Sequence, residues 1–237
     1  MAIHTHFHGR IFPLFETMAE ALQEARPSQT DEVRDSHNMT IILCRACLVE
    51  GVLEEQAYRV IEYYRAKYRQ VNIPEFTTRK PVNTFVNRMI EDLESRVGRS
   101  TGIENFSTLL NSLLGGSLLS DPSIAPCAEG IRVMFQLRNV IAHGRAVRAS
   151  IQLHGLELDN GEEDFRGGYS MAEKYLLKTG IIDKKFTSRG AGNWIFSDGV
   201  ADHFTLITGQ FMSAPVKYID TALEGLEKSI IAVPRQG

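Results

Sequence analysis

Residues 124–144 read IAPCAEGIRVMFQLRNVIAHG, and this stretch decides the fold prediction. At about 100° per residue around an α-helix, its apolar side chains cover most of the circumference. One broad face holds Ile124, Cys127, Ala128, Ile131, Met134, Phe135, Ile141 and Ala142, and Val133, Leu137 and Val140 extend it. A helix this apolar is packed on most of its sides, so the stretch predicts a helix inside a helical protein.

Apolar residues recur at helical spacing over most of the remaining chain. The pattern predicts helices at about 12–25, 31–69, 82–96, 103–114, 170–178, 199–212 and 214–231, with Gly51 as a break or kink. Residues 146–158 alternate as a strand or extended arm would, and residues 159–168 have the acidic, glycine-bearing composition of a loop. We therefore predict an all-α fold, a helical bundle with additional N-terminal helices and minor extended segments.

One small, polar stretch, residues 98–102, is a candidate domain boundary. It separates an N-terminal helical region, 1–98, from a helical domain, 99–237, that carries residues 138–143. The N-terminal region forms either a domain of its own or part of the same bundle.

The composition is that of an ordinary globular protein, with 237 residues of which 43% are hydrophobic and 23% charged. A net charge of -3 gives no overall attraction to nucleic acid, so any such binding needs a local patch. Three cysteines suit a reducing compartment. The sequence shows neither a secretory leader nor an apolar run near the roughly 18 residues of a membrane span. We expect a soluble, cytoplasmic protein that needs no cofactor.

The apolar helix leaves a narrow polar stripe, formed by Arg132, Gln136, Asn139 and His143. Arg138 lies instead among the apolar residues, where a charged guanidinium needs an acid, carbonyl groups or an anion. His143 precedes Gly144 at the predicted helix end, where the helix dipole favours the imidazolium form. An arginine beside a protonated histidine is a combination that can bind a phosphodiester and act on it. The same residues also fit a plain helix ending, with Arg138 paired to a core carboxylate.

A local positive charge surrounds this helix end. Residues 130–150 contain four arginines and neither Asp nor Glu, so a phosphate would be attracted there. The side chains that we expect to bind RNA beside the catalytic group are Arg132, Gln136, Arg145 and Arg148.

Residues 137–144, LRNVIAHG, resemble the signature of the HEPN superfamily. In that signature an arginine is followed after about four to six residues by a histidine, and a polar residue often follows the arginine directly. The resemblance implies a helical bundle in which two protomers join their motifs into one metal-independent endoribonuclease site. Such proteins are often toxins, stress-response proteins or antiviral-defence effectors. The alternative that it implies is a non-catalytic dimeric module that binds a protein partner or a nucleotide.

By this resemblance, the catalytic residues are Arg138, Asn139 and His143. His143 would act as general acid or base, Arg138 would stabilise charge on the phosphoryl oxygens, and Asn139 would orient the phosphate or His143. On an ideal helix Arg138 and His143 point about 140° apart. Either the helix loosens before His143, or residues of both protomers complete each site. We expect a homodimer that acts on RNA, with a neutralising or regulatory protein partner.

Three other patterns have both a functional and a structural interpretation. His4, His6 and His8 alternate as metal ligands on a strand would, but a flexible leader is favoured. Cys44 and Cys47 have the CxxC spacing of redox and zinc sites, but they lie in an apolar helical run and are predicted to be core residues. The third pattern could stack bases or face solvent, and consists of Tyr58, Arg59, Tyr63, Tyr64, Arg65, Lys67, Tyr68 and Arg69. We predict no metal site.

Overall fold

The computed structural model describes residues 11–70, 79–142, 163–183 and 195–231. Its α-helices are α1 (Ile11–Ala25), α2 (Asp31–Gln70), α3 (Arg79–Arg99), α4 (Gly102–Leu114), α5 (Ala125–Ala142), α6 (Glu163–Lys178), α7 (Asp198–Met212) and α8 (Ala214–Ile231). Short 3₁₀ turns cover Arg26–Ser28 and Leu118–Ser120, and the described ranges contain no strand. The all-α prediction is confirmed there. None of these helices combines the length and the apolar character needed to cross a membrane.

Two local predictions differ from the structure. A break at Gly51 is wrong, because α2 continues as one helix through that residue, while a kink there stays a prediction. A glycine costs a helix about 1 kcal/mol, which the burial of apolar neighbours such as Val49 and Val52 offsets. Residues 163–168, expected in a loop, form the first turns of α6. Glu163 and Asp164 begin that helix, where the dipole stabilises negative charge. The expected extended arm, 146–158, lies outside the described residues.

The chain divides into two compact units, and neither is continuous in sequence. The first unit comprises Met1–Val49 and Cys127–Gln210, and the second comprises Glu50–Pro126 and Phe211–Gly237. The predicted boundary after residue 98 falls within the second unit, between α3 and α4. Whether that point separates domains stays a prediction.

In the first unit, α1, the first part of α2 and α7 share an apolar cluster. Its fully buried members are Ala19, Ile41, Cys44 and Ala201, with Phe15 and Leu22 packed against them. Helix α5 adds Ile131 and Met134, both fully buried, and the Thr208 hydroxyl of α7 lies 3.6 Å from the Met134 sulfur. Packing of α5 against α7 therefore fixes the helix that carries the predicted site.

In the second unit, the later part of α2 is tied to three helices by polar contacts. The Tyr64 hydroxyl donates to the Leu113 carbonyl of α4 at 2.6 Å. Arg65 pairs with Glu94 of α3, and Lys67 pairs with Glu227 of α8 at 2.9 Å. Because each contact joins a different helix to α2, that segment connects the helices of this unit.

Candidate functional site

One face of helix α5 is buried as far as Leu137, and none of residues 138–142 is buried. Its buried residues are Cys127, Ala128, Gly130, Ile131, Val133, Met134, Phe135 and Leu137. Residues 138–142 are half-buried or exposed. The helical periodicity therefore predicted the buried face correctly over most of the helix. It was wrong in the last turn, where Ala142 is exposed and Ile141 half-buried.

Arg138 and Asn139 lie together in this last turn. The Arg138 guanidinium lies over the Phe135 ring, 5.7 Å from its centroid, and its Nη1 donates to Asn139 Oδ1 at 3.0 Å. The expectation that Arg138 belongs to the buried face is wrong, because the buried face of α5 ends at Leu137 and Arg138 is only half-buried. A cation over an aromatic face is stabilised by about 0.5–1 kcal/mol at an exposed site, so Phe135 favours one orientation of Arg138.

The polar stripe before this turn is half-buried. Arg132 and Gln136 both have this intermediate exposure. Gln136 Nε2 contacts the Met171 sulfur of α6 at 3.5 Å, and Gln136 Oε1 is buried with no hydrogen-bond partner among the described residues. A thioether is a weak acceptor, so α6 leaves much of the hydrogen-bonding capacity of this amide unused.

The remaining predicted site residues, His143, Arg145 and Arg148, lie outside the described residues. The structure thus brings Arg138 next to Asn139 and shows where α5 ends, at Ala142. The histidine follows that end directly in the sequence.

The CxxC pattern of α2 has the burial of core residues, as predicted. Cys44 is buried and Cys47 half-buried, and burial, followed by the effect of Cys47, raises the pKa of Cys44 to about 11. That thiol is protonated at neutral pH and is no nucleophile. No cluster of potential metal ligands occurs among the described residues, while His4, His6 and His8 lie outside them.

The aromatic and basic pattern on α2 is largely paired within its unit. Besides the pairs of Arg65 and Lys67, Arg59 forms an ion pair with Asp220 of α8. The Lys67 ammonium also lies 5.5 Å from the Tyr63 ring centroid. Cations already paired with carboxylates attract phosphate less, which favours the structural interpretation of this pattern.

Two polar constellations of the first unit were not predicted from the sequence. In one, Arg26 contacts Asn38, Asp198 and Asp202. In the other, the Tyr175 hydroxyl of α6 lies 2.8 Å from His203 Nε2 of α7. Burial raises the pKa of Tyr175 and lowers that of His203, so both are neutral near pH 7. These partners are far apart in the chain, and no local spacing could have revealed them.

Comparison with models of protein families, with curated proteins and with solved structures finds no match for this chain. The resemblance to the HEPN signature therefore depends on residues 137–144 themselves.

Proposed function

We propose that the protein is a metal-independent endoribonuclease of HEPN type, with its site at the end of α5. The observation that carries the proposal is the hydrogen bond between Arg138 and Asn139 in the last turn of α5, where the buried face of the helix has ended. Three further features support it: the helical architecture, the HEPN-like spacing from Arg138 to His143, and the absence of acidic residues from 130–150.

Each side chain has a defined task in the proposed reaction. His143 acts as general base on the ribose 2′-hydroxyl or as general acid on the leaving 5′-oxygen. The 2′-oxygen loses its proton to His143 or to water and attacks the phosphorus, the bond to the 5′-oxygen breaks, and that oxygen takes a proton from His143 or from water, giving a cyclic phosphate and a 5′-hydroxyl. Arg138 stabilises the negative charge that grows on the phosphoryl oxygens, and its fork can hold two of them. Asn139 fixes the guanidinium through its Oδ1, which leaves the amide nitrogen for the phosphate.

Two protomers would build the composite site. Arg138 and His143 are five positions apart on one chain. The resemblance to HEPN proteins implies a site shared by two protomers, in which each phosphate would take its arginine from one chain and its histidine from the other. With such a site, the protein would act as a toxin, stress-response or antiviral effector in the cytoplasm, under the control of a regulatory protein partner.

Cleavage of a fluorescent, unpaired RNA in excess chelator tests the proposal. We expect His143→Ala to lower the rate by about 10²–10⁴-fold and Arg138→Ala by about 10²–10³-fold. Arg138→Lys should recover little of the loss, because an ammonium lacks the planar fork. Arg88→Ala, which removes an exposed arginine of α3, is the matched control and should cleave like the wild type.

Mixing the two inactive variants tests the composite site. A heterodimer of Arg138→Ala and His143→Ala protomers keeps one complete site, so random mixing should restore about a quarter of wild-type activity. Absence of recovery in mixed dimers would contradict the shared site. If neither the wild type nor the variants cleave any RNA in excess chelator, the result would instead favour a non-catalytic module that binds a protein or nucleotide.

A further inference from the structure

Arg45 of α2 is a buried arginine that forms no ion pair with any of the described residues. Only 6% of its surface is exposed. Its Nη2 donates to Gln23 Oε1 at 3.4 Å, and its buried Nε has no hydrogen-bond partner among the described residues. Within the described ranges no carboxylate forms an ion pair with it. An arginine stays charged in proteins, and removing that charge from water is costly unless an anion accompanies it.

Arg26, in the same unit, shows how this protein satisfies a buried guanidinium. Its exposure is 8%, close to that of Arg45. It donates to Asn38 Oδ1 at 2.9 Å, lies 2.6 Å from an Asp202 oxygen, and lies 3.8 Å from an Asp198 oxygen. The two arginines are therefore equally buried, but within the part of the chain that the structure describes only Arg26 is paired with carboxylates.

The described neighbours of Arg45 do not provide that charge. Gln23 is neutral, and its Nε2 is directed towards Asp202 at 3.3 Å and Thr205 at 3.2 Å, which turns its carbonyl oxygen to Arg45. Asp202 is already paired with Arg26. Cys44, the preceding residue on α2, keeps its proton because burial raises the pKa of its thiol. The guanidinium is therefore held by a neutral amide at the edge of an apolar cluster.

We propose that Arg45 is the anion-binding group of a phosphate site in the first unit. A guanidinium fork matches a phosphate through two parallel hydrogen bonds, and Arg45 has donors to spare. Because Arg45 is almost fully buried, the ligand that we propose is free phosphate or the terminal phosphate of a nucleotide rather than a diester, which carries a ribose on both sides. The site is independent of the proposed cleavage site and would couple phosphate level or nucleotide binding to the stability of this unit.

Thermal unfolding of the full chain in phosphate-free buffer, with and without added ligand, tests the proposal. Inorganic phosphate and a nucleoside 5′-monophosphate are the two probes, each compared with chloride at equal ionic strength. At ten times the dissociation constant, a bound ligand lowers the unfolding constant about 11-fold, which raises Tm by about 3–6 °C in a chain of this size. An equal rise in Tm with both probes would identify free phosphate as the ligand of the site. A larger rise with the nucleotide would identify the terminal phosphate of a nucleotide as the ligand.

Variants separate the site from general effects of salt. Arg45→Met should abolish the shift and, without phosphate, be at least as stable as the wild type, because it removes an uncompensated charge. Arg88→Met should keep the shift. Arg26→Met should lower Tm in every buffer, because it leaves Asp202 without its partner. Destabilisation by Arg45→Met in phosphate-free buffer would show that the protein itself neutralises Arg45 and would overturn the proposal, as would equal shifts in wild type and Arg45→Met.

Discussion

Replacement of Gly130 by alanine should destabilise the protein, although alanine is the better helix former. Gly130 is buried in the middle of α5, opposite Tyr175 of α6 and Ile207 of α7. A Cβ at this position would lie 2.7 Å from Ile207 Cδ1, 3.1 Å from Tyr175 Cζ and closer still to the Tyr175 hydroxyl. Since these distances are below normal contact, Tyr175 and Ile207 would have to move, and a shift of Tyr175 disturbs its contact with His203.

The size of the effect follows from three contributions. Overpacking a well-filled core costs about 1–3 kcal/mol. Displacing Tyr175 weakens its hydrogen bond to His203, which costs about 1 kcal/mol more. Alanine returns about 1 kcal/mol through its helix propensity. The net loss should therefore be about 1–3 kcal/mol, or a Tm about 2–12 °C lower.

Urea denaturation followed by circular dichroism measures this change, with Gly209→Ala as the matched control. Gly209 lies in α7, is exposed, and would place its Cβ more than 4 Å from any neighbour. We expect that variant to gain about 0.5–1 kcal/mol. Combining Gly130→Ala with Tyr175→Phe removes the clashing hydroxyl and should recover part of the loss. If Gly130→Ala stabilised the protein as much as Gly209→Ala does, the close approach of Tyr175 would be refuted.

Two further predictions concern the buried polar groups of the first unit. Burial lowers the pKa of His203 below its usual 6.5, so the folded protein binds fewer protons than the unfolded chain below that pH. Its stability should be complete above pH 6.5 and decline on acidification, and His203→Gln should flatten the decline in urea midpoints measured from pH 8 to 5. Asn38→Ala should cost about 2–4 kcal/mol in urea denaturation, because it removes hydrogen bonds to Arg26 and Asp198. A loss below about 0.5 kcal/mol would contradict the role assigned to Asn38.

The sequence predicted the helices well because their signal is local. Apolar periodicity gave α8 its observed bounds and α1 its end at Ala25. It failed where packing outweighs local preference, as at Gly51, and where acidic residues that look like a loop instead begin α6. The helical periodicity of residues 124–144 predicted which face of α5 is buried. Periodicity alone does not show where along the helix its neighbours stop covering that face.

The candidate site could be predicted only as far as one helix carries it. Arg138 and Asn139 are adjacent in sequence, so their contact follows from the chain itself. The ion pair of Arg26 with Asp202 spans 176 positions, and the contact of Tyr175 with His203 joins two helices. These depend on tertiary packing, which no spacing rule encodes. The same limit applies to Arg45, because its burial also depends on tertiary packing.

The interleaving of the two units along the chain determines how the protein can be made and divided. During synthesis the first unit stays incomplete until residue 210 has left the ribosome, and the second begins at residue 50 but needs residues from 211 onward. A nascent chain therefore exposes apolar helix faces for a long time, which invites chaperone binding. A recombinant fragment that starts at residue 99 would omit the opening segment of both units. Biochemical work should therefore use the intact chain.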